Sequence, residues 1–198
     1  LPDLTSTVAD ILDGFGLDTA VPASVLAPLS PGQKVAGPAV TARQSRARSH
    51  PGFALAHERK PKGGGIDQIT LTRAGDVFVV DAGGAVDASS FGGILATASA
   101  ARKLGGVVAD GAVRDAASIR AAGLPVWSRS VTPRTGKHRL ELVEFNGVVE
   151  IGGVQVRPGD LILGDDDGLL VGERCADSAH AAARRGAADV AHGKQQGR

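Results

Sequence analysis

Residues 77–128, VFVVDAGGAVDASSFGGILATASAARKLGGVVADGAVRDAASIRAAGLPVWS, decide how the chain folds. Val77-Phe78-Val79-Val80 is a short apolar run that ends at Asp81-Ala82-Gly83-Gly84, and such a run suits a strand covered on both faces of its sheet. The spacing then predicts an Ala-rich helix over 94–104, closed by Gly105-Gly106, and a second strand at Gly106-Val107-Val108-Ala109 that stops at Asp110-Gly111. A helix over 115–122 ends before Gly123, and Pro125-Val126-Trp127-Ser128 supplies a third strand. Strand, helix, strand, helix, strand is the order of a three-layer α/β domain.

Toward the N-terminus, Val8, Ile11 and Leu12 share a face, so a helix begins near Thr5 or Ser6 and is interrupted by Gly14 and Gly16. Three prolines between Thr19 and Pro31 suggest a second short helix or a wrapped loop over 23–29. Residues 35–42 read as a strand, with Gly37 marking a close approach and Pro38 an edge-compatible position. Over 43–67 the periodicity dissolves into a long loop carrying Arg43, Arg46, Arg48, Arg59, Lys60 and Lys62. It reads either as a solvated excursion or as a flap that receives an anion.

Toward the C-terminus, residues 140–149 have extended character with a turn at Asn146-Gly147. Arg157-Pro158-Gly159-Asp160 echoes Arg73-Ala74-Gly75-Asp76, and each predicts a tight turn delivering a strand toward an acidic loop. A single domain is expected over 1–175, followed by a C-terminal helix and tail over 176–198.

Composition bounds the chemistry. With 198 residues the chain can bury a substantial core without staples, and its one cysteine, Cys175, cannot form an internal disulfide. No run approaches the roughly 18 apolar residues of a membrane helix, and Leu1-Pro2-Asp3 lacks signal-peptide order, so a cytoplasmic location is expected. A formal charge of +1 and 3% aromatic content argue against a nucleic-acid partner. Lys62-Gly63-Gly64-Gly65 lacks the Walker ending, Gly92-Gly93 lacks dinucleotide-binding spacing, and the five histidines have no compact zinc-ligand pattern.

Two short segments carry the candidate chemistry. Phe91-Gly92-Gly93-Ile94-Leu95 begins a helix, whose first N–H groups lack intrahelical partners and suit a carboxylate; the alternative is a glycine hinge needed only for packing. Arg114-Asp115 precedes the next helix. Arg114 has the fork to hold a planar carboxylate, and Asp115 can either cap the helix or ligate a hard divalent cation whose shell water and substrate complete.

These motifs, in their order along about residues 5–175, resemble the family that contains the regulator of ribonuclease activity A and the divalent-metal-dependent 4-hydroxy-4-methyl-2-oxoglutarate aldolases. The resemblance is carried by Thr7-Val8-Ala9-Asp10, Gly37-Pro38-Ala39-Val40-Thr41, the run from Ala74 to Asp81, the helix start at Gly92, Gly111-Ala112-Val113-Arg114-Asp115, and Pro158-Gly159-Asp160 followed by Gly164-Asp165-Asp166-Asp167-Gly168. It implies an α/β fold of the swivelling α/β/β/α type and a homotrimer with sites between subunits. It also implies a lyase that cleaves a small 2-oxo acid, as a 4-hydroxy-4-methyl-2-oxoglutarate aldolase or oxaloacetate decarboxylase does. Arg114 would bind the substrate carboxylate, Asp115 would hold Mg²⁺ or Mn²⁺, and the backbone of Gly92, Gly93, Ile94 and Leu95 would hold the pyruvyl carboxylate. Because the family includes regulators, a non-catalytic interaction scaffold is the alternative, as is a divergent lyase acting on another 2-oxo or sugar acid. Gly93 stands where active aldolases of the family carry Glu or Asp, and Pro51-Gly52-Phe53-Ala54-Leu55 also departs from the family pattern. Asp81 and Asp110 are candidates for the missing proton-handling group, or for caps.

Overall fold

A computed structural model describes residues 4–173; the expected C-terminal helix and tail, and Cys175, lie outside the described residues. Helix α1 (Leu4–Gly14) is followed by two short strands, β1 (Ala20–Pro22) and β2 (Ala27–Pro28), and by the long strand β3 (Val35–Arg46). Helices α2 (Pro51–Ala56) and α3 (Ile66–Thr70) lead into β4 (Val77–Phe91), α4 (Gly93–Ala101), β5 (Gly106–Val113), α5 (Ala116–Ala121) and β6 (Val126–Val131). The described chain ends in β7 (Leu140–Phe145), β8 (Val149–Ile151), β9 (Val154–Val156), β10 (Leu161–Asp165) and β11 (Gly168–Gly172).

Strands hydrogen-bond in the order β1-β11-β10-β3-β4-β5-β6-β2, with β7 also on β3 and a separate β8–β9 hairpin. The β3–β4, β4–β5 and β5–β6 pairs are parallel, as the alternating strand and helix pattern requires. β3 is the shared member. Its start pairs with β10, its middle with β4 and its end with β7, so one continuous strand passes from one sheet layer to the other.

The layers follow from which residues each strand buries. Phe78, Val80, Val107, Ala109 and Val126 face a cluster that includes Ala96 of α4 and Ile119 of α5. Val77, Val79, Val108 and Trp127 face the opposite way, against Val149, Ile151, Val156, Ile162 and Leu169 of the second β layer. All eight residues of β5 are buried, in keeping with its small and apolar sequence, and the one charged member, Asp110, is paired with Arg129. With α1 held outside β10 by the contacts below, the result is the α/β/β/α swivelling architecture. Trp127 crosses the middle of the sandwich, and its buried Nε1–H donates to the Asp165 carbonyl at 3.1 Å.

The two echoing turns are built alike. In each, the Asp N–H bonds back to the Arg carbonyl, the Asp carboxylate accepts the Arg N–H at 2.7 Å, and Gly75 or Gly159 takes φ near +86°. Gly37 is the close approach expected of it, because a Cβ there would sit 2.2 Å from the Gly75 carbonyl oxygen.

The structure decides or corrects several expectations. Of the two readings for 23–29 the wrapped loop holds and the helix does not: a turn over 23–26 leads from β1, on the edge of β11, into the two-residue β2, on the edge of β6. The stretch over 43–67 is not one loop: β3 continues to Arg46 on the ladder supplied by β7, and α2 and α3 follow. The chain bends at Asn146-Gly147 as expected, and the strands on either side of the bend pair elsewhere. β7 pairs with β3, while β8 pairs with β9 across Gly152-Gly153, both at positive φ as a two-residue turn needs.

Asp165 fastens α1 to the sandwich. Its buried carboxylate accepts the Thr5 N–H at 3.0 Å, the Thr5 hydroxyl at 2.6 Å and the Asp167 N–H at 3.1 Å. Burial pushes this carboxyl up, but the bonds from Thr5 and Asp167, with the charge of Lys34, outweigh it and leave the group below its ordinary 3.8. The folded value is the depressed one, so the contribution is complete above the ordinary carboxylate range and fades as pH falls through the folded value. Asp165→Asn is expected to cost about 1–3 kcal/mol in urea unfolding near neutral pH. The gap to the parent should narrow in acid; a gap that does not change with pH would contradict this role.

Candidate active site

Parallel pairing brings two distant pieces of chain together. Phe91 and Val113 are partners at the ends of β4 and β5, and the Arg114 N–H donates to the Phe91 carbonyl at 3.0 Å. The next residues on each strand, Gly92-Gly93 and Arg114-Asp115, therefore meet at the carboxyl ends of adjacent parallel strands, a common ligand location in α/β sheets.

Asp115 is left-handed, at φ 57° and ψ 42°, a conformation that aspartate tolerates better than most residues. It occupies the N-cap of α5 without capping it. The carboxylate reaches across instead and accepts the Gly93 N–H of α4 at 3.1 Å, while Arg114 Nε lies 3.4 Å from the same oxygen, Oδ2. Among the described residues, nothing donates to Oδ1, and the N–H groups of Ile94 and Leu95 have no acceptor. The first turn of α4 thus keeps two donors and the positive end of its helix for an incoming anion.

The packing reading of the glycine pair is seen directly. Gly92 is extended at φ −160°, which any residue can adopt, so space is what it provides. A Cβ at Gly92 would lie 3.0 Å from Arg114 Cγ and 3.2 Å from both Arg114 Nε and Asp115 Oδ2. A Cβ at Gly93 would press on Ser118 at 3.0 Å and on Asp115 Cβ at 3.2 Å. The absent side chains let α5 and its Arg-Asp pair close onto the start of α4.

A cleft of about 320 Å³ opens beside this contact. Gly92, Ile94, Leu95 and Arg114 form one side; Gln44, Pro61, Gly63 and Gly64 form another. Ser89, Ser90, Thr135, Gly136 and Lys137 complete it, and the sequence did not single these out. Gly136 is required there by contact, since a Cβ would sit 2.2 Å from the Ser89 carbonyl oxygen. Gln44 donates to the Gly63 carbonyl at 3.0 Å, and its buried Oε1 has no partner among the described residues. Arg114 and Lys137 are the charged residues lining the cleft, and both are cations.

Asp81 and Asp110 do not line it. They border a different cleft, where Asp110 is paired with Arg129 and accepts the Gly152 N–H at 2.9 Å, and Asp81 accepts the N–H groups of Gly83 at 2.9 Å and Glu150 at 3.3 Å. They anchor the β8–β9 hairpin, so the cap reading replaces the proton-handling one.

No group of three or more His, Cys, Asp or Glu that could enclose a metal occurs among the described residues. What is present is one half-exposed carboxylate with an oxygen to spare. That donor set fits a hard cation such as Mg²⁺, which keeps several waters and takes one or two carboxylates together with substrate oxygens.

The fold and site together define a swivelling α/β/β/α protein with a cationic cleft at a helix start. More specifically, the chain belongs to the RraA-like family, Aldolase/RraA, whose sequence model matches residues 5–171. It is 32% identical to protein DlpA of Legionella pneumophila over 167 residues, 84% of this chain, but spans only 26% of DlpA's length. It is 30% identical over 167 residues to a putative 4-hydroxy-4-methyl-2-oxoglutarate aldolase of Halalkalibacterium halodurans, covering 84% of this chain and 71% of that one. Among solved structures it resembles Streptomyces coelicolor RraAS2, described as an unusual member of the RNase ES inhibitor RraA family, with a TM-score of 0.72, 30% identity, and coverage of 85% of this chain and 80% of that one. Among the described residues no helix is long and apolar enough to cross a membrane.

The left-handed backbone at Asp115 makes an ordering of variants predictable. Asp115→Gly and Asp115→Ala both lose the contact to Gly93, but only alanine keeps a Cβ strained in this conformation. The glycine variant should be the more stable in urea unfolding by about 1 kcal/mol; the reverse order would show that the backbone at 115 is not held as described.

Proposed function

We propose that this chain is a divalent-metal-dependent carbon–carbon lyase acting on a small 2-oxo acid, in the manner of a 4-hydroxy-4-methyl-2-oxoglutarate aldolase or an oxaloacetate decarboxylase. The observation that carries the reading is the meeting of Arg114 and the open N–H groups of Ile94 and Leu95 at one cleft whose charged lining is cationic, with Asp115 beside it in contact with Arg114 and Gly93. The name carried by the Halalkalibacterium relative supports the reaction class.

Each residue has a definable task. The Arg114 guanidinium offers a planar fork to the substrate carboxylate and fixes its plane. Ile94 and Leu95 donate backbone hydrogen bonds to the same end, aligned with the helix dipole. The Gly93 N–H holds Oδ2 of Asp115, leaving Oδ1 as the oxygen that would hold Mg²⁺ or Mn²⁺. The chemistry such a cation would supply is Lewis-acid polarisation of the 2-oxo group, with Asp115 as the residue that would hold it. Phe91, Leu95 and Leu140 provide apolar lining that strengthens these polar contacts by keeping water out. Gly93 supplies no acid, so proton handling falls to water or to a group from a neighbouring subunit. Exposed Ile94, 72% accessible at the cleft mouth, supports a homotrimer in which a neighbour covers the site.

A regulator without turnover is the second reading, favoured by glycine at position 93 and by the likeness to RraAS2. One assay separates them. Metal-stripped protein given oxaloacetate should release pyruvate only after Mg²⁺ or Mn²⁺ is restored, and Asp115→Asn should lower kcat/KM about a hundredfold or more. Arg114→Lys should lower it about tenfold or more, because lysine lacks the fork. Absence of metal-dependent turnover across a panel of 2-oxo acids would leave the regulator reading.

A further inference from the structure

A second cleft, of about 640 Å³, lies on the other side of the strap that walls the Arg114 cleft. Along that strap the lining alternates: Pro61, Gly63 and Gly64 border the Arg114 cleft, whereas Arg59, Lys60 and Lys62 border the second. Arg48 and His138 join them, with Glu141 as the acidic member of the lining. Four permanent cations against one carboxylate is an unbalanced lining for a chain whose formal charge is +1.

These cations are also unpaired. Arg43, Arg46, Arg114, Arg129 and Arg134 each meet a carboxylate. Arg48, Arg59, Lys60 and Lys62 meet none among the described residues. Like charges gathered without counter-ions repel one another, and a bound anion would relieve that repulsion.

The frame that carries them is ordered. The Arg59 N–H donates to the Ala54 carbonyl at 2.9 Å, and the Lys62 carbonyl accepts the Leu142 N–H at 2.7 Å. The Arg59 guanidinium lies 5.2 Å from the centre of the Phe53 ring, which is itself stacked on His57 at 4.0 Å. The Ala47 N–H bonds to the Arg139 carbonyl at 2.8 Å, which ties the end of β3 to the segment carrying His138. The positive charge is therefore held around a cavity and does not lie on a free tail.

We propose that this basic cleft is an anion site for a phosphate group, borne by a small phosphomonoester or present as inorganic phosphate. A multiply charged tetrahedral oxyanion matches several converging cations, whereas a monocarboxylate needs only one fork. None of the charged residues involved belongs to the Arg114 cleft, so the site stands apart from the lyase reading.

Calorimetric titration of the full chain at low, fixed ionic strength tests it, using inorganic phosphate, glycerol 3-phosphate and a short single-stranded oligonucleotide. Saturable binding of either phosphate compound is expected, with the tighter one identifying the source. Lys60→Gln/Lys62→Gln should weaken that binding about tenfold or more without lowering the urea midpoint, since both side chains are exposed and their removal eases the repulsion. Arg59 is left intact because it also packs on Phe53. No saturable phosphate binding, or binding indifferent to the double substitution, would overturn the site. Tighter binding of the oligonucleotide, growing with its length, would make the face a nucleic-acid surface and overturn it as well.

Discussion

The hydrogen bond from the Gly93 N–H to Asp115 Oδ2 joins two helix starts that lie 22 residues apart in the chain. Everything at the Arg114 cleft is referred to it. It exists because β4 and β5 are parallel neighbours in register at Phe91 and Val113, so the residues that follow each strand emerge side by side. It also explains why Asp115 holds a left-handed backbone: from there its carboxylate reaches the neighbouring helix and leaves its own helix uncapped. A local cost in conformation is offset by a carboxylate whose Oδ2 joins the Gly93 amide to the Arg114 guanidinium.

The electrostatics of the cleft follow from what is missing as much as from what is present. Asp81 and Asp110, the acidic residues nearest in sequence pattern, are engaged with the β8–β9 hairpin, Arg43 and Arg129. With those carboxylates elsewhere, Arg114, Lys137 and the first N–H groups of α4 are the positive features an anion would meet there. The two glycines set the distances, since side chains at 92 and 93 would drive Arg114, Asp115 and Ser118 away from the helix start.

Much of this was legible in the sequence because the signals were local. The apolar runs that open β4 and β5, the glycines closing the helices, and the repeated Arg-x-Gly-Asp turn report short-range geometry and appear where their patterns placed them, but both strands continue past the expected stops at Asp81 and Asp110, to Phe91 and Val113, because each goes on pairing with the other. The shared location of Gly92–Leu95 and Arg114-Asp115 was legible only through the resemblance to a family, since spacing alone left a hinge and a cap as equal readings. Elements stabilised by distant edges were not legible: β1 and β2 are two or three residues long and owe their form to β11 and β6. The contribution of Ser89 and Gly136 to the cleft was likewise hidden, because it rests on one backbone contact between segments with no shared periodicity. The basic stretch was visible as charge, but its division into two faces of a strap needed the positions of β3 and β7.

A crystal structure of the protein soaked with Mg²⁺ and oxalate, a planar stand-in for the enolate of pyruvate, tests the central geometry most directly. The cation should sit on Asp115 with the Gly93 contact kept, and oxalate should lie between the Arg114 fork and the amides of Ile94 and Leu95. A structure in which Asp115 turns away from Gly93, or in which oxalate binds without engaging Arg114 and those amides, would contradict it.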